Sequence, residues 1–153
     1  MSIDRADWHY ESAEKEYYRR MNLSDDCELS NEQVNEIWLC AANHIGLFLR
    51  WIIENGFEGE ESDPEGTELV RKGKISGSEY LMEYCDGKFW ESDVREDILP
   101  FVEKYYEKAY LSDYGEAVLT GDTQVYGALS GKKEYKSIKK LIDKAYKQYK
   151  SKK

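Results

Sequence analysis

Cys40 and His44 are the residues whose types and spacing first indicate chemistry. Four positions apart, their side chains would share one face of a helix, and thiolate and imidazole are both zinc ligands. The remaining ligands would have to come from His9, Cys27, Cys85 or a carboxylate, and the chain has neither a C-x-x-C nor an H-x-x-x-H pair. We therefore predict no metal ligand set and no cofactor, and we interpret the thiol and the imidazole as facing packed helices.

Catalytic residues cannot be singled out by type or spacing. With three cysteines and two histidines, a Cys–His pair could arise by chance. General acid–base pairs are equally hard to select among 31 acidic side chains. Phosphate-binding and nucleophile motifs, such as the P-loop, G-x-G-x-x-G and G-x-S-x-G, are missing from the sequence. We assign no catalytic residue and expect a protein that is not an enzyme.

Charge is distributed unevenly along the chain. Residues 1–100 carry 24 acidic and 10 basic side chains, whereas residues 101–153 carry 7 and 12. A net charge of −9 disfavours coating of nucleic acid or of an anionic membrane, because phosphate neutralisation needs Lys and Arg. The densest acidic stretch runs from residue 54 to residue 68 and contains no base. Either this stretch is a solvated loop, or it binds a partner through Glu58, Glu60, Glu61, Asp63 and Glu65.

Length and composition indicate one folded domain spanning residues 1–153. Hydrophobic residues make up 41% of the chain, which argues against disorder. We expect no membrane span, since no apolar run approaches the ~20 residues that one requires. The N-terminus is polar and acidic, unlike a secretory signal, and the three cysteines form no disulfide framework. These features predict a cytoplasmic protein.

A central buried helix is predicted at about residues 30–55. Ser30 and Gln33 form a capping box, and Asn55-Gly56 is a stop signal. Apolar residues recur between these ends at helical spacing. The apolar stripe widens along the helix until its second half is apolar on nearly every side. Weaker helices are predicted at about 12–20, 64–72, 76–85, 92–111 (with a break near Leu99) and 133–150.

We expect a mostly all-α helical bundle in which residues 112–131 are the least helical part. A short strand pair near residues 115–127 is the one β element considered there. Aromatic residues in the N-terminal arm, Trp8, His9, Tyr10 and a Tyr-Tyr pair, either pack onto the bundle or form a recognition patch.

Several of these segments, taken in order, resemble an uncharacterised bacterial domain family. Its members have a Trp-His-Tyr start, a His-Ile-Gly-x-Phe-Leu-x-Trp helix, a Cys-Asp-Gly-Lys-Phe-like turn, then Tyr-Tyr and Asp-Tyr. The matching residues are Trp8, His9, Tyr10, His44, Gly46, Trp51, Asp86, Tyr105, Tyr106, Asp113 and Tyr114. In size and charge, such domains are similar to immunity proteins of toxin systems.

This resemblance implies no established activity, but it favours a function in binding. Our leading hypothesis is an immunity protein that neutralises a cognate toxin domain by protein–protein contact through the acidic stretch. One alternative is a small-ligand-binding domain or an enzyme of unknown reaction around His44. Another is an adaptor or oligomerising subunit whose acidic front and basic tail pair between copies. For Gly46 we expect close approach of another backbone or ring, such as the Trp8–Tyr10 arm, because mid-helix glycine costs ~1 kcal/mol relative to Ala.

Overall fold

The computed structural model describes residues 2–24, 26–119, 126 and 132–152. Its helices and strands follow in the order β1 (Ser2–Arg5), α1 (Tyr10–Met21), α2 (Asn31–Glu54), α3 (Pro64–Arg71), α4 (Gly77–Tyr84), β2 (Lys88–Trp90), α5 (Leu99–Tyr105), α6 (Leu111–Val118) and α7 (Lys132–Ser151). Short 3-10 helices occupy Ala6–His9 and Glu91–Asp93. The predicted all-α class is confirmed, with one two-stranded sheet among the described residues.

Helix α2 is the centre of the fold, as predicted. Ser30 accepts a hydrogen bond from the Gln33 backbone N–H, and the Gln33 side chain accepts one from the Ser30 N–H. The residues from Ala41 to Leu49 are all buried. A helix that is apolar on every side must be covered on every side, and the neighbouring helices and sheet supply that cover.

The backbones of α2 and α4 touch where they cross. A Cβ atom added to Gly46 would overlap the backbone nitrogen of Ser78, and one added to Gly77 would overlap the Gly46 carbonyl oxygen. Beside this contact, the Ser78 hydroxyl donates to Asn43 Oδ1 over 2.9 Å. The close approach expected at Gly46 therefore occurs, but with the start of α4 and not with the Trp8–Tyr10 arm.

The sheet joins the start of the chain to its middle. β1 pairs antiparallel with β2, and Asp4 lies opposite Phe89. The Ala6 N–H then donates to the Gly87 carbonyl over 2.8 Å. The N-terminal arm is thus ordered by a strand partner more than eighty residues away, which a local reading of the sequence does not predict. Of the region expected to hold a strand pair, residues 115–118 are helical, while residues 120–125 and 127 lie outside the described residues.

The expectation that residues 112–131 are the least helical part of the chain is wrong for residues 112–118. A π-helical turn, Tyr106–Tyr110, continues α5 into α6, so helical structure runs without interruption from Leu99 to Val118. Tyr110, Tyr114 and Val118 are buried at i, i+4 and i+8. Their packing outweighs the local turn signals of Ser112, Asp113 and Gly115, since tertiary contacts routinely override propensity.

Helix α7 packs its apolar stripe on the bundle and turns its lysines outward. Tyr135, Ile138 and Ile142 are buried. The indole N–H of Trp51 donates to Asp143 Oδ1 over 2.7 Å, which ties α7 to the central helix. Among the described helices, none is both long and apolar enough to cross a membrane.

Candidate functional site

The two histidines of the chain meet in the interior. His9 ends the 3-10 helix after β1, and His44 lies in the middle of α2. Their rings pack edge to face, with centroids 4.5 Å apart and an interplanar angle of 89°. His44 is 1% exposed, so this contact is part of the core.

Asp4 lies between the two imidazoles. His9 Nε2 is 2.7 Å from Asp4 Oδ1, and His44 Nε2 is 3.4 Å from Asp4 Oδ2. The Tyr106 hydroxyl donates to Oδ2 over 2.7 Å, and the backbone N–H of Arg5 donates to Oδ1 over 2.8 Å. The carboxylate is therefore buried together with several hydrogen-bond donors, the condition under which a buried charge is tolerated.

Tyrosines enclose this cluster. Tyr126 Oη lies 2.7 Å from His9 Nδ1. When His9 is neutral and donates from Nε2 to the carboxylate, its Nδ1 accepts a hydrogen bond from the tyrosine. The Tyr110 hydroxyl donates to the His44 backbone carbonyl over 2.5 Å, and the Tyr114 ring lies 6.2 Å from the His44 ring.

The surroundings set the charge states of Asp4 and His44. Burial acts to raise the pKa of Asp4, but its interactions with His44, His9 and Tyr106 outweigh burial and hold that pKa far below its usual value. Burial also lowers the pKa of His44, although Asp4 opposes that effect. At neutral pH, the site therefore contains an ionised carboxylate beside an uncharged buried imidazole.

Among the described residues, His44 Nδ1 is the buried side-chain nitrogen for which no hydrogen-bond partner is found. A buried polar atom without a partner costs free energy comparable to a lost hydrogen bond. Asp4, His9 and His44 each offer a ligand atom, and the three atoms lie within 4.8 Å of one another.

Three different local structures supply these groups. Residues alternate sides along a strand, and in β1 this turns Asp4 toward the core. The 3-10 turn that follows reverses the chain and returns His9 to the same carboxylate. The π-helical turn begins with Tyr106 and ends with Tyr110, whose rings stack at 5.0 Å and whose hydroxyls both reach the site. Such single π turns recur at functional sites.

Comparison with known proteins assigns the chain to a family. A family model described as Domain of unknown function (DUF7832) matches residues 2–128. The chain belongs to this family. No curated protein and no solved structure matches the chain. The matched DUF7832 segment contains every member of the cluster, from Asp4 to Tyr126.

The Trp-His-Tyr segment of this DUF7832 domain divides its three side chains among three environments. His9 enters the cluster. Trp8 is 59% exposed and lies under the guanidinium of Arg5, 5.6 Å from the ring centroid. Tyr10 packs on Trp38 of α2, with centroids 4.4 Å apart. Tyr10 therefore packs onto the bundle, whereas Trp8 is exposed and a recognition role for it stays a prediction.

The other resemblance residues lie partly inside and partly outside the site. Tyr114 lines the His44 side of the cluster, whereas Asp113 accepts a hydrogen bond from Tyr105 over 2.6 Å. Trp51 is a core residue. Asp86 is an exposed turn residue with a φ of 53°, a conformation that Asp tolerates better than most residues.

The groove in the acidic stretch and the Asp4–His9–His44 cluster share no residue, and the five selected acidic residues differ in their surroundings. Glu58 forms an ion pair with Arg71, and the Asp63 carboxylate caps α3 by accepting from the Glu65 and Gly66 N–H groups. Glu60, Glu61 and Glu65 are exposed. Glu60 and Glu61 line a groove of about 550 Å³ together with Gly59, Ser92, Val94, Arg95, Glu96 and Asp97.

Sequence reasoning missed several members of the cluster. Asp4 belongs to an N-terminal segment with no helical or metal-binding spacing, and nothing local links it to His44. Tyr106 was noticed only within a Tyr-Tyr pair. Cys40, considered as the partner of His44, is not among the residues whose ligand atoms converge with it. A carboxylate does lie beside His44, as a metal site would require, and it belongs to Asp4 near the start of the chain.

Proposed function

We propose that this domain acts by binding a protein partner, as an immunity protein binds its toxin, and that the acidic groove is the contact surface. The observation that carries this proposal is an ordered groove edged by carboxylates, with an exposed tryptophan two positions before one of the groove residues. The partner is a toxin domain with a basic surface, of the kind that an enzyme attacking nucleic acid must present to phosphates.

The groove is held in shape by backbone contacts. Glu58 and Val94 form an isolated antiparallel bridge, and the Gly59 N–H donates to the Asp93 carbonyl over 3.0 Å. Arg95 bonds Asp97 through two nitrogens, at 2.5 and 3.0 Å. A surface that is ordered before binding loses less conformational entropy when a partner docks.

Charge in the groove is predominantly negative. Four carboxylates line it, from Glu60, Glu61, Glu96 and Asp97. The one positive charge among the described residues of its lining is Arg95, which forms an ion pair with Asp97. Clusters of one sign attract a basic partner and speed its association, and salt weakens this steering.

Trp90 supplies the apolar anchor that an acidic surface lacks. It ends β2 two positions before the groove residue Ser92 and is 38% exposed. Its backbone N–H donates to Asp93 Oδ2 over 2.7 Å, which fixes the chain at this point. Exposed tryptophans on ordered backbone are typical centres of binding energy in protein interfaces.

The test is a charge-reversal variant, Glu60→Lys, Glu61→Lys and Glu96→Lys, combined in one chain. The assay measures protection of cells that express the toxin domain encoded beside this gene, together with association kinetics in low and high salt. We expect association at low salt to slow roughly 10- to 100-fold. Trp90→Ala is expected to accelerate dissociation, since anchor residues act mainly on the off-rate.

A matched control applies the same charge change elsewhere, as Glu103→Lys, Glu107→Lys and Glu116→Lys. These three side chains are exposed on the helical segment from α5 to α6. This control is expected to retain most of the protection and of the association rate. Protection that survives the groove reversal, or falls equally in the control, would overturn the acidic-groove proposal. A neighbouring gene without a toxin product would count against the immunity role.

A second candidate function is small-ligand binding or chemistry at the Asp4–His9–His44 cluster. The observation that favours it is the convergence of a carboxylate on two histidines in a partly accessible site. His9→Gln separates the two candidates, because His9 does not line the groove. A folded His9→Gln variant that protects cells like the wild type supports partner binding alone. Loss of protection with normal toxin binding supports a role for the cluster.

A further inference from the structure

We propose that Asp4, His9 and His44 bind a divalent first-row transition-metal ion, with zinc as the probe, through one carboxylate oxygen and two imidazole nitrogens. This proposal deepens the second candidate function and does not depend on partner binding at the acidic groove. It names a metal site where the sequence predicted none.

The three donor atoms lie within 4.8 Å of one another, and the spacing of one pair already suits a metal ion. At zinc–ligand distances of 2.0–2.1 Å in tetrahedral geometry, two ligand atoms lie about 3.3 Å apart. His44 Nε2 and Asp4 Oδ2 are separated by 3.4 Å. That distance is long for an N–H···O hydrogen bond. It is close to the spacing between two ligands of one ion, so His44 and Asp4 would not have to move closer together to bind one.

The kind of donor atom selects the class of metal. Two imidazoles and one carboxylate suit zinc, iron(II), cobalt(II) and similar ions. Calcium and magnesium prefer oxygen ligands throughout, and copper(I) prefers sulfur. Three protein ligands leave at least one coordination position for water or a small molecule, the arrangement of catalytic rather than purely structural zinc sites.

His44 provides a second, independent indication of a ligand. Its side chain is 1% exposed, its Nε2 lies 3.4 Å from Asp4 Oδ2, and its Nδ1 has no hydrogen-bond partner among the described residues. A buried imidazole nitrogen loses hydration and gains from a strong partner. Metal coordination would supply one at Nε2, the nitrogen that faces Asp4, whereas Nδ1, on the other side of the ring, gains nothing from the ion.

The groups around the three ligands resemble the outer shell of a metal site. Tyr126 contacts His9 Nδ1, the nitrogen that points away from Asp4, and so fixes the ring. Tyr106 and the Arg5 N–H hold the two oxygens of the carboxylate. Outer-shell partners of this type orient ligands, and their loss typically weakens metal binding 10- to 100-fold.

An ion would enter from the side of His9. The side chains of His9 and Asp4 are 20% and 11% exposed, whereas that of His44 is 1% exposed. Two ligands thus border solvent while the third closes the floor of the site. A bound ion would also link the N-terminal segment to the central helix, so metal binding should stabilise the fold.

The test begins with the full chain freed of metal by a chelator and titrated with zinc by calorimetry. Cys27→Ser, Cys40→Ser and Cys85→Ser are introduced together, so that the free thiols cannot bind the ion. We expect one zinc ion per chain and a higher thermal midpoint. Cobalt(II) should give visible absorption bands whose intensity reports a four- or five-coordinate site.

Single variants then assign the ligands. His9→Gln, His44→Asn and Asp4→Asn should each weaken zinc binding by about 100-fold or more, and Tyr106→Phe by 10- to 100-fold. Glu103→Gln, which removes an exposed carboxylate on α5, is the control and should bind like the parent. If His44→Asn does not fold, the partly exposed His9 still decides the question through His9→Gln.

Two results would overturn the proposal. In the first, zinc neither binds nor raises the thermal midpoint, while Asp4→Asn and His9→Gln still destabilise the fold. The cluster would then be a hydrogen-bonded clamp, and a metal-free ligand site would be tested separately by the protection assay. In the second, zinc binds equally well to the parent and to the three ligand variants, which would place the ion elsewhere.

Discussion

Gly46 of α2 and Gly77 of α4 lie against each other where the two helices cross. A methyl group on either glycine would overlap the backbone of the other helix. The atoms that a new Cβ would strike belong to backbone, which cannot rotate away as a side chain can. The crossing distance of the two helices is therefore set by the absence of two side chains.

Gly46→Ala should destabilise the protein by about 3 kcal/mol, at the upper end of typical overpacking costs, because the helices must separate to admit the methyl group. Gly115→Ala is the control. Gly115 lies in α6 with its nearest obstacle, Leu119, 4.0 Å away, so alanine should be neutral or stabilising by up to ~1 kcal/mol. Urea unfolding measures both, and equal midpoints for the two variants would contradict the crossing argument.

Trp51 should contribute to stability through its indole N–H as well as its ring. Trp51→Phe removes the 2.7 Å bond to Asp143 and part of a buried ring, so a loss of about 2–3 kcal/mol is expected. A double-mutant cycle with Asp143→Ala isolates the hydrogen bond, for which a coupling of ~1 kcal/mol is expected. The exposed Trp8, changed to Phe, should alter stability by less than ~0.5 kcal/mol. A coupling near zero would show that the bond does not contribute.

Stability should fall in alkali because several tyrosines are buried. Burial raises the pKa of Tyr80, Tyr105 and Tyr135 above the ordinary value of 10.0. Between the unfolded and folded pKa values, the folded chain holds more protons, so stability is full below pH ~10 and declines as the pH rises further. Urea midpoints from pH 8 to 11, with tyrosinate absorbance near 295 nm, test this. Tyr135→Phe should make stability fall less steeply with pH. Formation of tyrosinate from these residues at pH 10 in the folded protein would contradict the prediction.

Cys85 should react slowly with alkylating agents while the protein is folded. Burial, with a further contribution from Asp93, raises the pKa of its thiol to about 12. A free thiol has a pKa of about 8.5. Compared with it, the fraction of Cys85 in the reactive thiolate form at pH 8 is roughly a thousand-fold lower. The Cys27→Ser, Cys40→Ser double variant isolates Cys85 for iodoacetamide labelling with and without urea. Similar rates in the two conditions would show that the thiol is not protected.

Local signals predicted much of the helical framework. The capping box at Ser30 and the stop at Asn55 bound α2, and Asp63 followed by proline begins α3. A second capping box, at Ser76, begins α4. The predicted starts of these helices, at about residues 30, 64 and 76, are confirmed because a cap involves residues within one helical turn, so both partners are visible in a short stretch of sequence.

The candidate site was predicted only in part. Residue type and the resemblance both indicated His9 and His44. Neither indicated Asp4, because its partners lie in the 3-10 turn, in α2 and in the π-helical turn. The π turn itself was missed because its extra residue per turn has no local sequence signature. Gly46 was correctly expected to allow a close approach, although the approaching element was misidentified.

By itself, the sequence determined the helical class, the central buried helix and the separation of acidic and basic regions, because composition and periodicity act over a few residues. Tertiary structure alone decided which groups meet. It paired β1 with β2, brought Asp4 between His9 and His44, and joined residues 59–61 with residues 92–97 in the acidic groove. Such contacts depend on how the whole chain closes around one core, which no local stretch of sequence encodes.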